Sequence, residues 1–181
     1  MAETRIEIIL GCMYSGKSTE LLRLCKRYEA IGKKVFLINH ELDIRTGNSV
    51  MTHEKEKGKA IKTSNLVNLI GQSDFMESDV IGIDEAQFFE DLLEFVKKVE
   101  KLNKIIIISG LDGDSRREPF GKILECIPYC DRVVKLSAMD MIDKDGTPAI
   151  FTKRIVDNKD KILVGSTESF IAVSRKNFIG E

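Results

Sequence analysis

Tryptophan is absent from this sequence, aromatic residues make up 7% of it, and the formal net charge is −1. A protein whose main partner is a nucleic-acid strand needs a basic groove or a row of stacking rings, and this composition supplies neither. The four cysteines, at positions 12, 25, 126 and 130, form no C-x-x-C pair. They read as reduced thiols of an intracellular protein rather than as a disulfide framework. His40 and His53 lack metal-ligand spacing, so each is expected to be a surface or local hydrogen-bonding residue. The longest aliphatic runs, such as 105–108, are far too short to span a bilayer, and the start Met1-Ala2-Glu3-Thr4-Arg5 has no secretory apolar core. No membrane association and a cytoplasmic location are therefore expected. With 181 residues, 43% apolar and 31% charged, the chain suits one domain with a sizeable core and a small appendage.

What is present is more specific. Gly11-Cys12-Met13-Tyr14-Ser15-Gly16-Lys17-Ser18 fits the phosphate-loop pattern G-x-x-x-x-G-K-[ST] at every fixed position and follows the apolar run Ile6 to Leu10. The two glycines let backbone wrap a polyphosphate with successive N–H groups pointing inward. A helix opening at Ser18 and Thr19 turns its N-terminal dipole toward the same anion. Lys17 is expected to supply a point charge to the β and γ phosphates, and the Ser18 hydroxyl to ligate Mg²⁺. The competing reading is a strand-to-helix turn that binds nothing. Cys12 reads either as a small neutral filler or as a reactive thiol near a helix N-terminus.

Leu21, Leu24, Cys25, Tyr28 and Ile31 recur at helical spacing, with Gly32 as the stop before an apolar strand from Val35 to Ile38. From Asn39 to Lys62 the polar composition predicts a mobile excursion. Ser64 is expected to cap a short helix through Ile70. Val80 to Ile83 reads as a buried strand, followed by a helix with Phe88, Leu92, Phe95, Val96 and Val99 on its apolar face. A further strand spans Lys104 to Ser109, a helix starts at Pro119 and is closed by Pro128, and Arg132 to Leu136 forms another strand. Strands alternating with helices predict a mostly parallel sheet with helices on both faces. Residues 1–136 are taken as the nucleotide-binding domain and 137–181 as the appendage.

An acidic residue ending an apolar strand suits a carboxylate that holds the Mg²⁺ shell, and Asp84 fits that role. Glu85 fits a general base for an attacking water or alcohol. The bland alternative is a pair of solvent-facing strand-end carboxylates. Asp112 also lies at a strand's carboxyl end, where open α/β sheets bind ligands, and Arg116 and Arg117 read equally as phosphate contacts or as ordinary exposed arginines. Asp140 and Asp143 read as a solvated loop beside a glycine turn.

In their order along the chain, the motifs resemble the type II thymidine kinases of cellular and poxvirus type. The likeness rests on residues 11–18 with Met13 inside, Asp43-Ile44-Arg45, Thr52-His53, Ile83-Asp84-Glu85-Ala86-Gln87-Phe88-Phe89, Gly110-Leu111-Asp112-Gly113, Pro119-Phe120-Gly121, Lys135-Leu136-Ser137-Ala138 and Phe151-Thr152-Lys153-Arg154. It implies an α/β, RecA-like P-loop sheet plus a small C-terminal lasso domain over the nucleoside, in a homotetramer. The implied reaction is ATP-dependent, Mg²⁺-assisted phosphorylation of thymidine, with deoxyuridine as a second substrate, in nucleotide salvage for DNA synthesis. By the same likeness, Glu85 is the base and Asp84 helps hold the metal. Asp43, Ile44 and Arg45 lie near the phosphates, and Ala86 and Gln87 belong to the nucleotide-binding segment. Met13, Phe88, Leu111 and Phe120 line the base pocket, Thr152 bonds the base, and Lys161, Ile162, Leu163, Val164 and Gly165 run along it.

Three departures from the family pattern bear on the site. Ser115 stands where an aromatic residue is usual, and Phe170 replaces a sugar-contacting tyrosine, forfeiting about 0.5–1.5 kcal/mol if a hydrogen bond is lost. Two C-x-x-C zinc pairs are replaced by Asp140 with Asp143 and by Ser174 with Asn177. That set offers zinc neither thiolate nor imidazole, so no structural zinc is expected. An Asp145-Gly146 hairpin turn and an apolar staple of Met139, Met141, Ile142, Ile171, Val173 and Phe178 are expected to order the lasso instead. A RecA-type, nucleic-acid-stimulated ATPase is the alternative function, with Glu85 orienting water. A guanine-nucleotide switch is weaker, because no N-K-x-D motif occurs.

Overall fold

Runs such as Ile-Ile-Ile-Ile have side chains to bury on both faces, so they belong inside a parallel sheet rather than at its rim. The computed structural model describes residues 3–43, 49–51, 57–156 and 169–180, with backbone alone at 49–51 and 57–59. Its main sheet contains β1 (Arg5–Gly11), β2 (Val35–His40), β3 (Ser49–Met51), β4 (Lys57–Thr63), β5 (Val80–Ile83), β6 (Ile105–Gly110) and β7 (Arg132–Leu136). The spatial order is β3-β4-β2-β5-β6-β1-β7, with β3 antiparallel to β4 and every other pairing parallel. One strand, β6, separates β1 from β5, so the strand feeding the phosphate loop and the strand ending in Asp84 are not direct neighbours. This is the RecA-like α/β class that the resemblance implied.

Helices cover both faces. Ile6, Ile8, Leu10, Ile38, Ile81, Ile83, Ile106 and Ile108 face α2 (Ser73–Glu77) and α3 (Leu92–Val99), where Phe75, Leu92, Phe95, Val96 and Val99 are fully buried. Ile9, Leu37, Val80 and Ile107 face α1 (Lys17–Glu29) through Leu21, Leu22, Leu24 and Cys25. The period of two along each strand thus serves two separate cores. No helix among the described residues is long and apolar enough to cross a membrane.

Several local expectations change. The stretch 39–62 contains β3 and β4, and β4 pairs in register with β2 from Leu37↔Ala60 to His40↔Thr63. Near the sheet edge only one face is covered, so Ala60 is buried while Ile61 is exposed, and the strand carries a weak apolar signal. The helix near Ser64 shrinks to a 3₁₀ turn, Val67–Leu69, with the Asn65 side chain accepting from Asn68 N at 2.9 Å. The helix expected from Pro119 is instead a 3₁₀ segment, Ile123–Tyr129, which contains Pro128. Its earlier start is blocked because Gly121 adopts φ +63° and passes so close to Gln87 that a Cβ there would lie 2.0 Å from the Gln87 carbonyl oxygen.

After Leu136 the chain forms two small antiparallel sheets: β8 (Ala138–Met139) with β9 (Pro148–Ala149), and β10 (Phe151–Arg154) with β11 (Phe170–Val173). A short helix, α4 (Arg175–Ile179), follows. The Asp145-Gly146 turn forms, with Thr147 N donating to Asp145 Oδ1 at 2.9 Å. The apolar staple does not form as expected, since Met139 and Ile142 are 65% and 48% exposed. Strands of two residues present too little surface to cover them. Val173 is buried, and Phe178 packs on Phe151 with ring centroids 5.1 Å apart. Asp140, expected in a solvated loop, is instead 2% exposed.

Replacing Gly121 by alanine combines an unfavourable backbone conformation with a backbone clash, so a loss of about 2–4 kcal/mol is expected. Urea unfolding of Gly121→Ala against the parent chain measures it; a change below about 0.5 kcal/mol would contradict the close approach to Gln87.

Candidate active site

In a parallel sheet every strand ends on the same edge, so groups placed just after β1, β2, β5 and β6 converge there whatever their distance in sequence. The loop 12–16 leaves β1 and enters α1 through Gly16, whose φ of +82° is a left-handed turn that a side chain would disfavour. Lys17 folds back over this loop, its Nζ donating to the Cys12 carbonyl at 2.7 Å. Ser15 Oγ donates to the same oxygen at 2.8 Å.

Asp84, immediately after β5, is 3% exposed and accepts hydrogen bonds from Ser109 Oγ at 2.5 Å and from the Ser18 hydroxyl. Burial, followed by the neighbouring Glu85 carboxylate, pushes the Asp84 carboxyl up to about 6. Burial lowers Lys17 from its ordinary value, opposed by the carboxylates of Glu85 and Asp84. The ammonium and both carboxylates therefore share one poorly hydrated space. The bland reading of Asp84 as a solvent-facing strand end is excluded.

Glu85 adopts φ +52°, ψ +39°, a conformation that costs a non-glycine residue about 1–3 kcal/mol and is retained where surrounding structure enforces it. Gln87 supplies the enforcement. Its Nε2 donates to Glu85 Oε2 at 2.6 Å while its Oε1 accepts from Leu111 N at 3.0 Å, tying the Glu85 carboxylate to the exit of β6. The residue following is Phe88, whose ring meets Phe120 edge-on at 5.5 Å. His40, buried between Phe88 and Phe89, accepts from Leu42 N through Nδ1, so it is a local hydrogen-bonding residue but not a surface one. Asp43, 4% exposed, accepts from Asn39 Nδ2 at 2.9 Å, and its carbonyl is bonded by Lys62 Nζ.

The C-terminal sheets grip the phosphate loop. Met13 N donates to Thr152 Oγ1 at 3.0 Å, Cys12 Sγ donates to the Ala149 carbonyl at 3.4 Å, and Tyr14 Oη donates to the Phe170 carbonyl at 3.3 Å. Burial raises the Cys12 thiol, which therefore is a packed filler rather than an activated nucleophile. A cavity of about 210 Å³ lies against this seam, lined by Cys12, Asp112, Lys135, Phe151 and Thr152 among others. Asp112 is paired there with Lys135 at 2.6 Å.

The structure thus brings together residues 11–18, Asp43, Asp84, Glu85, Ala86, Gln87, Phe88, Leu111, Phe120, Thr152 and Phe170 at one edge. Arg117 lines the cavity as well, and its guanidinium stacks on Phe178 and Phe151, 4.7 and 5.4 Å from their centroids. Ser115 lies on the same 112–118 loop, which Asp114 Oδ1 braces through Arg116 N and Glu118 N. Ile44, Arg45, Thr52, His53 and Lys161 to Gly165 fall outside the described residues. Ser109 and Asn39 were missed by sequence reading; each is a polar residue at the end of an aliphatic strand, the one signal that marked them.

A family model described as Thymidine kinase matches residues 4–178. Thymidine kinases of Sheeppox virus (strain KS-1) and Yaba monkey tumor virus (strain VR587) are 42% and 43% identical over 177 and 170 residues. Those matches cover 97% of both chains for the first, and 94% of this chain and 92% of the relative for the second. The vaccinia virus (strain Western Reserve) thymidine kinase is 37% identical over 174 residues, covering 96% of each. Among solved structures, the flagellar accessory protein FlaH from Methanocaldococcus jannaschii superposes with a TM-score of 0.51 over 80% of this chain and 76% of its own. At 18% identity that likeness concerns the fold alone.

A carboxyl that titrates higher in the folded than in the unfolded chain takes up its proton on folding, so stability from this group rises as pH falls through about 6. Between pH 7 and pH 5 the parent chain should gain about 1 kcal/mol relative to Asp84→Asn in paired denaturant titrations. Parallel pH profiles for the two chains would refute a buried, charge-crowded Asp84.

Proposed function

The chain belongs to the thymidine kinase family, and on that premise we propose that it transfers the γ-phosphoryl group of ATP to the 5′-hydroxyl of thymidine, with deoxyuridine as a second acceptor. The observation that carries this reading is the convergence of Lys17, Ser18, Asp84 and Glu85 beside a glycine-bounded loop. In the free protein Lys17 Nζ rests on the Cys12 carbonyl, a neutral acceptor that phosphate oxygens would displace. Loop N–H groups and the start of α1 then hold the β and γ phosphates. Mg²⁺ fits the Ser18 hydroxyl and Asp84 carboxylate, which already touch, and it would supply neutralisation of the phosphate charge.

Glu85 accepts the 5′-hydroxyl proton as that oxygen bonds to the γ phosphorus and the bond to the β–γ bridging oxygen breaks, releasing ADP and thymidine monophosphate. Gln87 holds the carboxylate in position through its Nε2. Phe88 and Phe120, with Met13, Leu111, Ser115 and Thr152, form the walls for the base, and Phe170 borders the sugar. Residues 137–181 act as the lasso covering the nucleoside. Asp43 and Ala86 belong to the nucleotide-binding side. Lys161 to Gly165 along the base, Ile44 and Arg45 near the phosphates, a homotetrameric assembly and a cytoplasmic location in nucleotide salvage complete the proposal.

Glu85→Gln should lower kcat by about 10²- to 10⁴-fold while nucleotide affinity stays within a few-fold, the pattern of a lost general base. ADP release measured with thymidine, deoxycytidine, deoxyadenosine and single-stranded DNA as separate additions tests the acceptor. Turnover with thymidine carries the proposal; stimulation by single-stranded DNA alone would replace it with a nucleic-acid-stimulated ATPase.

A further inference from the structure

Beneath the C-terminal sheets lies a buried charge that the phosphoryl-transfer chemistry does not use. Asp140 follows β8 and is 2% exposed, yet no cation pairs with it among the described residues. Four nitrogens point at its carboxylate instead. Oδ1 accepts from Ile142 N at 2.8 Å, Asp143 N at 2.9 Å and Asn177 Nδ2 at 3.0 Å, and Oδ2 accepts from Ser174 N at 2.5 Å. Burial alone would push this carboxyl up, but the bonds from Ser174, Asp143 and Asn177 outweigh it and hold Asp140 well below the usual carboxylate range.

These are the positions at which zinc pairs stand in the family pattern, and the geometry does not fit a cation there. The donors are four nitrogens carrying hydrogen, joined by the Ser174 hydroxyl, so a metal would meet the positive ends of N–H and O–H dipoles. The anion has taken the place of the metal, with donors and acceptor reversed.

The knot is continuous with the active site. Ser174 caps α4 and directly follows β11; β11 pairs with β10 at Thr152↔Ala172; and Thr152 Oγ1 accepts from Met13 N of the phosphate loop. Met141 N donates to Ala172 O and Ile150 N to Val173 O, binding the hairpin to the same strand. We propose that Asp140 is a positioning residue: by gathering the 138–149 hairpin and the start of α4 onto one carboxylate, it sets the place of Thr152 and Phe170 over the phosphate loop and so tunes nucleoside binding without a metal.

The nucleoside part rests on the thymidine kinase reading above; the positional part does not, and the two are measured separately. Hydrogen exchange needs no substrate. In Asp140→Asn, where an amide NH₂ replaces an acceptor and the charge is lost, the Met13 amide and those of β10 and β11 should exchange about tenfold faster, while amides of β1, β5 and β6 keep their protection. Asn177→Ala, which removes one donor and leaves the carboxylate, should give the same pattern at smaller amplitude and serves if Asp140→Asn does not fold. In steady-state assays Asp140→Asn should raise the KM for thymidine about tenfold, with the KM for ATP and kcat each within about threefold. Unchanged Met13 exchange, equal effects on both KM values, or stoichiometric zinc in purified parent protein would each overturn the assignment. Faster Met13 exchange in a chain with no thymidine turnover would uphold the positional role and instead remove the activity on which the KM prediction rests.

Discussion

One constraint organises the molecule: an ammonium and two adjacent carboxylates must occupy a poorly hydrated space at the end of a parallel sheet. Burial works against charge on Lys17 and on Asp84; the two carboxylates oppose that loss at Lys17, the Glu85 carboxylate adds to it at Asp84, and polar groups of the surrounding fold bond all three. Ser109 and Ser18 bond Asp84, Gln87 holds Glu85, and the Cys12 carbonyl receives Lys17. On the proposed reading, a triphosphate would arrive at a site where Lys17, Ser18, Asp84 and Glu85 already stand together, which would keep the reorganisation small.

Gln87 joins two elements. The Nε2 and Oε1 of its one side-chain amide connect a glutamate in a left-handed backbone conformation to the backbone beyond β6, and Gly121 passes against its backbone carbonyl with no room for a side chain. The motif from Asp84 to Phe89 is therefore a braced turn, in which a strained residue is kept because three separate segments meet on it. The Glu85 carboxylate held in this turn lies close enough to Lys17 to act on its charge.

How much of this was legible in the sequence depended on whether a residue's role was local. The phosphate loop, the strands β1, β2, β5, β6 and β7, and most of the apolar faces of α1 and α3 follow from spacing and aliphatic runs, because burial on a parallel sheet leaves a pattern within a few residues; Ile31, past the end of α1, is exposed, and Phe88 sits in a separate 3₁₀ turn before α3. β4 escaped because a near-edge strand buries one face only, and Lys57-Gly58-Lys59 looks polar. The 3₁₀ segments and the shifted start after Pro119 depend on Gly121 meeting Gln87, a contact between segments. Arg117 was open between phosphate binding and ordinary exposure; it is exposed, and its guanidinium also stacks on Phe151 and Phe178, a contact between segments.

Asp140 shows why a substitution pattern read residue by residue can mislead. Taken alone, an aspartate beside a glycine turn resembles solvated loop, and its exposed apolar neighbours resemble a small core. The bonds in fact run the other way: the backbone nitrogens of Ile142 and Asp143 in the turn after β8, and of Ser174 after β11, need an acceptor, and a carboxylate supplies up to four lone-pair directions. A cross-link of that kind is weaker than a metal cage but needs no cofactor, and it can loosen. Since β11 and β10 transmit it to Thr152, and Thr152 to Met13, the tightness of this distant knot and the shape of the loop are one mechanical property of the chain.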